Sequence, residues 1–567
     1  MPALGRIGTI SPAKRLLAPM VVVVMIASAC AGDRASTTTT VAATSSSTTT
    51  TTIEAVTTTA AAPTTTAAPT TTTTTLPPDP APVITVTDPS GRTGEVTITV
   101  EVSDPQGADT VELLTVAQEF NFQIPDHVAG VIEHAGLQPV STQELASGLT
   151  AVSFEDPRFD FLYGADKEIT EYTSTNPLSP ITVTQTEPGH YDITFTTEWP
   201  GRFPLHFTAS DQDGNTTAIR TPVEIYWAEN PIDIRGVMAG GWIQRDHSTL
   251  SDSELATVLD ELGAQNINYI SLNPLWYLND SGSDDFVRAP FAMSEGVPFT
   301  SISDEQMTIL AGLAKDRGMR VAVKPMVFIL DGTWIGSVVP TDERRWLDHY
   351  SESVLDPMSA WATENNVDML IVFNDFEFSM NQFEPGWTEA IAKARETFGG
   401  LVTIASSAYP TSYSSGDATP VSFTDELDLF GFQAYLPGSG RPGDPRFPGS
   451  LDPDVAAMTS EIGAHYQAIS RSVRRLDVDA VATELGAINI DGVNRDPANT
   501  WSGDVDSQEQ IDFLEANLRV VSESPWMSGV FMWFTTLNPQ IEYFGRDLTN
   551  DVRRQPLADL VRIWFAG

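Results

Sequence analysis

The sequence predicts an α/β protein in three parts: a C-terminal (β/α)8 TIM barrel over residues 232–567, an all-β domain over residues 83–229, and a disordered Thr-rich stalk before it. Three observations carry this reading. After Ile232, eight short apolar runs alternate with amphipathic helical patterns, the count and size of a closed barrel. Before it, apolar and polar residues alternate with a period of two, as in half-buried strands. Earlier still, residues 36–82 are almost all Thr, Ala, Ser and Pro, which cannot pack a core.

At the N-terminus, Lys14 and Arg15 precede an apolar stretch, and Ala27-Ser28-Ala29 stand directly before Cys30, the sole cysteine. This is the layout of a signal peptide over residues 1–29. The apolar stretch is shorter than the roughly 20 residues a spanning helix needs. The small residues before Cys30 resemble a bacterial lipobox. That resemblance implies cleavage before Cys30 and a lipid on its sulfur, so the chain is expected at the cell envelope, facing outward and anchored to a membrane without spanning it. Residues 30–82 then form a linker that holds the folded part away from the envelope.

The all-β region contains "EVTITVEVSD" from Glu95, "HYDITFTTEW" from His190, and a strand-turn-strand pattern over Phe203 to Trp227. The pattern looks like a bacterial immunoglobulin-like sandwich. The stretch from Thr115 to Ser179 fits it poorly and reads as an insertion, with an amphipathic segment "FQIPDHVAGVIEHAG". Asp211, Asp213 and Asn215 read as a turn, because their spacing lacks a full calcium loop.

The barrel strands are read at "IRGVM", "INYISLN", "RVAVKPMV", "DMLIVFND", "LVTIASS", "LFGFQAY", "AVATELG" and "GVFMWFT". Between most of them lie helices such as "DSELATVLDELGA", begun by Ser and Asp at capping positions. A last helix, "RQPLADLVRIWFAG", closes the ring.

Lys and Arg total 31 against 75 Asp and Glu, a formal charge of −44, which excludes nucleic acid and anionic surfaces as partners and suits a neutral substrate such as glycan. With one cysteine, no histidine cluster and no glycine-rich phosphate loop, neither a metal nor a cofactor is expected. A monomer is expected.

Reactive residues of such barrels lie at the C-terminal ends of the strands. Those ends carry Trp242; Asn273, Trp276 and Tyr277; Lys324, Pro325 and Trp334; Asn374, Asp375 and Glu377; Tyr409; Tyr435; Glu484; and Trp533. Acids on strands 4 and 7 are surrounded by aromatic residues. This suits glycoside hydrolysis. Sugar C–H faces stack on rings, and bond cleavage needs one acid to protonate the leaving oxygen and one carboxylate across the sugar. Trp242, Trp276, Trp334, Lys324, Tyr409 and Asn374 are candidate substrate contacts beside these acids.

"VATELGA", "LDLFGFQAYLPG", "VKPMVFILDGTW" and "GVFMWF" resemble the retaining glycosidase clan with acids on strands 4 and 7, and are most similar to glycoside hydrolase family 113, which contains endo-β-1,4-mannanases. The resemblance covers the barrel, about Ile232 to Phe565. It implies that Glu484 is the nucleophile, that Tyr435 donates a hydrogen bond to it, and that Trp533 floors the subsite of cleavage. Strand 4 departs from the family's Gly-Thr-Glu or Asn-Glu. Aligning on Asn374 puts Asp375 in the acid/base position; aligning on "EFS" puts Glu377 there. A period of two points both the same way. Because Asp is a methylene shorter, Glu377 is favoured. Met326 stands where the family tends to have histidine. The expected function is retaining hydrolysis of a β-linked, mannan-like polysaccharide. The alternatives are an inactive glycan-binding lipoprotein and an envelope-associated scaffold on the same barrel.

Overall fold

The computed structural model describes residues 80–121, 139–145, 149–154, 161–164, 169–240, 250–288, 291–294, 297–376, 383–407, 426–438, 455–473, 477–498, 504–537 and 549–567. The leader, Cys30, the stalk and the segment 122–136 read as amphipathic lie outside them, as do Trp242, Glu377 and Tyr409. Among the described residues no helix is long and apolar enough to cross a membrane.

The β-region contains β1 (Val83–Thr87), β2 (Ser90–Arg92), β3 (Gly94–Ser103), β4 (Val111–Asn121), β5 (Pro139–Glu144), β6 (Thr150–Phe154), β7 (Phe161–Gly164), β8 (Thr182–Glu187), β9 (His190–Thr197), β10 (Gly201–Asp211) and β11 (Thr216–Tyr226). They form two sheets, ordered β1-β3-β9-β8 and β2-β11-β10-β4-β7-β6-β5. The alternation in β3 buries Val96, Ile98, Val100 and Val102. These share one core with Phe203, Leu205 and Phe207 of β10, so the two sheets pack face to face. The stretch that fits the strand pattern poorly adds β5, β6 and β7 to the edge of the second sheet. At the β10–β11 hairpin the Asp211 carboxylate accepts the backbone and side-chain N–H of Asn215, both at 2.8 Å, and so closes the turn.

The second region is a closed parallel barrel. After β12 (Ile234–Gly240) come β13 (Tyr269–Leu272), β14 (Leu275–Leu278), β15 (Phe291–Ser294), β16 (Val297–Thr300), β17 (Arg320–Val323), β18 (Met326–Ile329), β19 (Met369–Asn374), β20 (Leu401–Ser407), β21 (Leu429–Gln433), β22 (Asp479–Leu485) and β23 (Met527–Thr536). The barrel order is β12-β13-β17-β19-β20-β21-β22-β23, the eight runs read from the sequence. Helices α1 (Asp252–Ala264), α2 (Asp304–Lys315), α3 (Glu343–Tyr350), α4 (Asp356–Glu364), α5 (Glu384–Thr397), α6 (Val455–Val473), α7 (Ser507–Glu523) and α8 (Leu557–Phe565) alternate with them. Ser251 opens α1 and Ser303 opens α2, each with a reciprocal capping box.

Every barrel strand divides its side chains between two cores. Ile234, Met238, Tyr269, Ala322, Met369, Ile371, Ala405, Leu429, Val481 and Phe531 fill the interior, while neighbours such as Val237, Val321, Leu370 and Ala480 pack outward. Gly236 leaves the space that the Phe531 ring occupies; a Cβ there would overlap it.

The sandwich docks on the barrel's flank. Trp199, Trp227 and Trp564 meet with ring centroids 5.6–6.2 Å apart, and the Trp227 indole donates to the Trp564 carbonyl at 3.1 Å. Tyr172 and Ser174 donate to Glu515 of α7 at 2.8 and 3.2 Å, and Arg519 pairs with the same carboxylate at 2.6 Å. Arg562 of α8 pairs with Glu224 of β11 at 2.6 Å. As a result α7 is buried along its length from Ser507 to Val521, polar residues included. We expect both domains to unfold in one thermal transition. Trp227→Ala should cost about 3–5 kcal/mol, read as a shift of that transition. A separate, earlier transition of the sandwich in the unsubstituted chain would contradict this coupling.

Candidate active site

The barrel mouth is shaped by two prolines. Pro274 and Pro325 cannot donate to a β-ladder, so β13 and β17 each break after their last barrel residue. The chain then resumes as the parallel pair β14–β18 above the mouth. Asn273 and Lys324 occupy the breaks. Lys324 keeps its backbone N–H on Leu272 O at 2.8 Å. Its side chain is completely buried and ion-paired with Glu484 Oε1, across the barrel on β22.

Glu484 is itself 4% exposed. A buried carboxylate needs compensating charge and hydrogen bonds. Lys324 supplies the charge, and Tyr435 donates its hydroxyl to Glu484 Oε2 at 3.1 Å. The Lys324 ammonium also lies 5.5 Å from the centroid of the Trp533 ring. Trp533 belongs to the inner core with Tyr277, and Tyr435 packs against that core. These rings belong to the apolar lining of the barrel interior.

Asp375 follows the end of β19. The expectation that a strand period carries Asp375 and Glu377 to the same side does not hold up to Asp375. The pairing register shifts between Ile371 and Asn374, β19 ends at Asn374, and Asp375 has φ +62°. Aspartate tolerates this left-handed conformation better than most residues. Phe373 and Phe376 point outward and stack on each other at 5.7 Å, with Phe376 also against Trp346, Tyr350 and Trp387. The outward phenylalanines anchor the turn from both sides.

The Asn374 amide donates to Asp375 Oδ2 at 2.7 Å, while its own oxygen accepts from the Gln433 amide at 3.0 Å. Asp375 Oδ1 is shielded from solvent and has no hydrogen-bond partner among the described residues. Burial pushes the Asp375 carboxyl up to about 7, with the negative charge of Glu484 adding to the rise; the Lys324 charge and hydrogen bonds from Gln433 and Asn374 oppose it. Two carboxyls of one mouth thus sit in unlike settings. Asp375 holds a proton near neutral pH, and Glu484 faces a fixed cation.

Several candidate residues are placed differently from expectation. Lys324 is the buried ion-pair partner of Glu484. Trp276 is 2% exposed, lies in the outer core and donates to Ser353 O at 3.1 Å; alternation along β14 turns Trp276 outward and Tyr277 inward. Trp334 is half-buried against the outer core on the loop after β18. Asn273 is buried, accepting from Ser271 at 3.1 Å. Tyr277, read only as a strand end, is the ring of β14 that joins the inner core, and one residue went unrecognised: Gln433, two residues before Tyr435 in "LFGFQAY". Gln433 stands opposite Glu484 in the β21–β22 register and reaches Asn374 across β20.

Among the described residues, Asp491, Asp506 and Glu509 bring carboxylate oxygens within 4.8 Å of one another. Asp506 caps α7 through the Glu509 N–H at 2.9 Å, and Glu509 accepts the N–H groups of Gly492 and Asn494 at 2.7 and 3.1 Å. Loop hydrogen bonds account for this cluster, and no metal role is derived from it.

This constellation of two carboxyls, a buried lysine and an aromatic wall in a parallel barrel is that of a glycoside hydrolase. The profile of Glycoside Hydrolase Family 113 matches residues 239–541, more than half of the chain, and the protein belongs to that family. Solved structures similar to it include a family 113 β-mannanase from Alicyclobacillus acidocaldarius, at 22% identity and TM-score 0.48 over 59% of this chain and 97% of that one. Another family 113 β-1,4-mannanase is 19% identical with TM-score 0.47, over 59% and 99%. A β-glucuronidase from Bacteroides uniformis is 11% identical with TM-score 0.35, over 83% and 48%. No curated protein matches the chain.

Two predictions follow from the buried charges. Lys324→Met leaves Glu484 buried without its cation, which should cost about 3–5 kcal/mol in thermal or urea unfolding. Lys324→Met combined with Glu484→Gln should cost less than the sum of the single changes; strict additivity would mean that the two side chains are not coupled. Asp375 also links stability to pH. Its folded form holds a proton that the unfolded chain releases at ordinary aspartate pH. Its contribution is therefore full below about pH 4 and is lost as pH rises to about 7. Asp375→Asn should flatten the stability curve in that window; an unchanged slope would count against the raised carboxyl.

Proposed function

We propose that the chain is a retaining glycoside hydrolase that cleaves a β-linked, mannan-like polysaccharide at the outer face of the cell envelope, held there by a lipid on Cys30. The observation that carries the catalytic part is the unequal carboxyl pair. Asp375 is raised to about 7 with one oxygen unengaged, and Glu484 is held between Lys324 and Tyr435. The mannan preference rests on the sequence motifs shared with the family, and the tether on the lipobox-like residues before Cys30.

In this reading Glu484 attacks the anomeric carbon while Asp375 gives its proton to the leaving glycosidic oxygen. The C–O bond breaks and a glycosyl ester forms on Glu484. Asp375, now a carboxylate, takes a proton from water, which attacks the ester and restores Glu484. Trp533 and Tyr277 present aromatic faces to the sugar, and Gln433 holds Asn374 so that its amide reaches Asp375. The acid/base role thereby passes to Asp375 from Glu377, the residue favoured on side-chain length.

Hydrolysis of mannans, glucans and xylans by the full chain and its variants tests the assignment. Glu484→Gln should abolish turnover of every substrate. Asp375→Asn should lower turnover of polysaccharide by about 10²–10⁴, yet spare the first step on an aryl glycoside whose leaving group needs no proton. Glu377→Gln should stay within a few-fold of the parent. The reverse pattern at strand 4 assigns the acid to Glu377. Glycan binding without turnover of any substrate supports the silent binding protein instead.

The pH profile offers a second check. Because Asp375 must be protonated to act as acid, kcat/KM should fall about tenfold per pH unit above about pH 7. An alkaline limb unchanged in a residually active Asp375→Asn variant rules Asp375 out.

A further inference from the structure

A second cavity opens at the end of the barrel remote from the carboxyl pair. It has a volume of about 570 Å³ and lies between α6 and α7, where β22 and β23 begin. Tyr466, Gln467, Ser470, Asp479, Glu523 and Trp526 line it. Its size falls within the roughly 300–1,000 Å³ typical of small-ligand sites. The N-terminal face of a parallel barrel ordinarily serves stability alone, so a cavity there with polar and aromatic walls calls for an account.

Two features go beyond an incidental dent. Tyr466 is only 1% exposed, its ring packed edge-on against Phe432 at 5.5 Å, yet its hydroxyl has no hydrogen-bond partner among the described residues. Tyr466 lines the cavity, and a buried hydroxyl beside it is unfavourable while unpaired, so a polar group brought there would be favoured. Beside it Trp526 is half-buried, its ring centroid 6.1 Å from that of Tyr466 and tilted by 52°. Trp526 immediately precedes β23, packs against the outer core and lines the cavity.

The polar lining selects the chemistry. Asp479 and Glu523 contribute carboxylates, while Gln467, Ser470 and Thr459 contribute an amide and hydroxyls; none of the lining residues among the described ones is Lys, Arg or His. Phosphates, nucleotides and uronic acids would meet negative charge without compensation. A neutral ligand with many hydroxyls and a flat apolar face meets carboxylate and amide acceptors, hydroxyl donors and an indole at once. We propose that this cavity is a second, non-catalytic binding site for a neutral carbohydrate chain, retaining the polysaccharide while the barrel mouth acts on it. The identity of that carbohydrate rests on the catalytic reading above; the neutrality and sugar class rest on the cavity.

Affinity electrophoresis of the full chain through gels containing soluble β-mannan, β-glucan or xylan tests the proposal, with thermal unfolding and hydrolysis measured in parallel. Trp526→Ala should weaken retention about tenfold, equivalent to about 1.4 kcal/mol, and raise KM on long chains. It should leave kcat/KM unchanged on a short oligosaccharide that fills only the barrel mouth. Should Trp526→Ala also lower the unfolding temperature, Tyr466→Phe and Gln467→Ala decide, since both keep the aromatic packing; each should weaken retention with the unfolding temperature unchanged. Retention equal to the parent in folded Tyr466→Phe and Gln467→Ala overturns the proposal, as does absence of retention by every glycan in the parent chain. Loss of retention in these variants of a chain that hydrolyses nothing would uphold the second site and sink the catalytic reading. Hydrolysis with retention indifferent to all three changes would do the opposite.

Discussion

The ion pair between Lys324 and Glu484 is the constraint on which the barrel mouth depends. It joins the third and seventh barrel strands across the interior, and both side chains are buried. A carboxylate alone in that position is unfavourable by far more than one side chain's packing can offset. Lys324, two residues after the inward Ala322, points to the interior just before the break at Pro325, and Tyr435 satisfies the second oxygen of Glu484. The same charges then govern Asp375: Glu484 helps to raise its carboxyl, and Lys324 limits the rise. The two carboxyls are therefore not separate fixtures, because the charges around Glu484 act on the protonation of Asp375.

The backbone at Asp375 belongs to the same arrangement. A non-glycine residue in the left-handed region persists only where its surroundings hold it. Here the stacked Phe373 and Phe376 fix the chain on the outer side, and the Asp375 N–H bonds to Ala405 O at 3.0 Å on the inner side. Gln433 and Asn374 then form a polar chain from strand 6 to strand 4 that ends on Asp375. Mouth geometry is set by outward packing as much as by inward contacts.

The sandwich is part of the same folded unit as the barrel flank. Glu515 sits on a helix buried along its length, which is tolerable because Tyr172 and Ser174 of the sandwich donate to its carboxylate and Arg519 supplies the opposite charge. Such a helix reads from sequence as an ordinary amphipathic surface helix, with its charges toward water. The covering domain reverses that expectation.

Fold class, the eight barrel strands and the capped helices were legible in the sequence, because they follow from periodicity and local capping chemistry acting over a few residues. Glu484, Tyr435, Trp533 and Asp375 were legible as candidates too, because parallel barrels put reactive side chains at strand ends. Other features depend on contacts between residues distant in the chain. The pairing of Lys324 with Glu484 was decided across 160 positions. Whether Trp276 or Tyr277 faced the mouth was decided by the break at Pro274, and whether strand period extended to Asp375 by a register shift and a positive φ. Local sequence determined which elements form. Only the closed barrel decided which polar groups share a desolvated space, and in that space charge pairing, not residue type, assigns their chemistry.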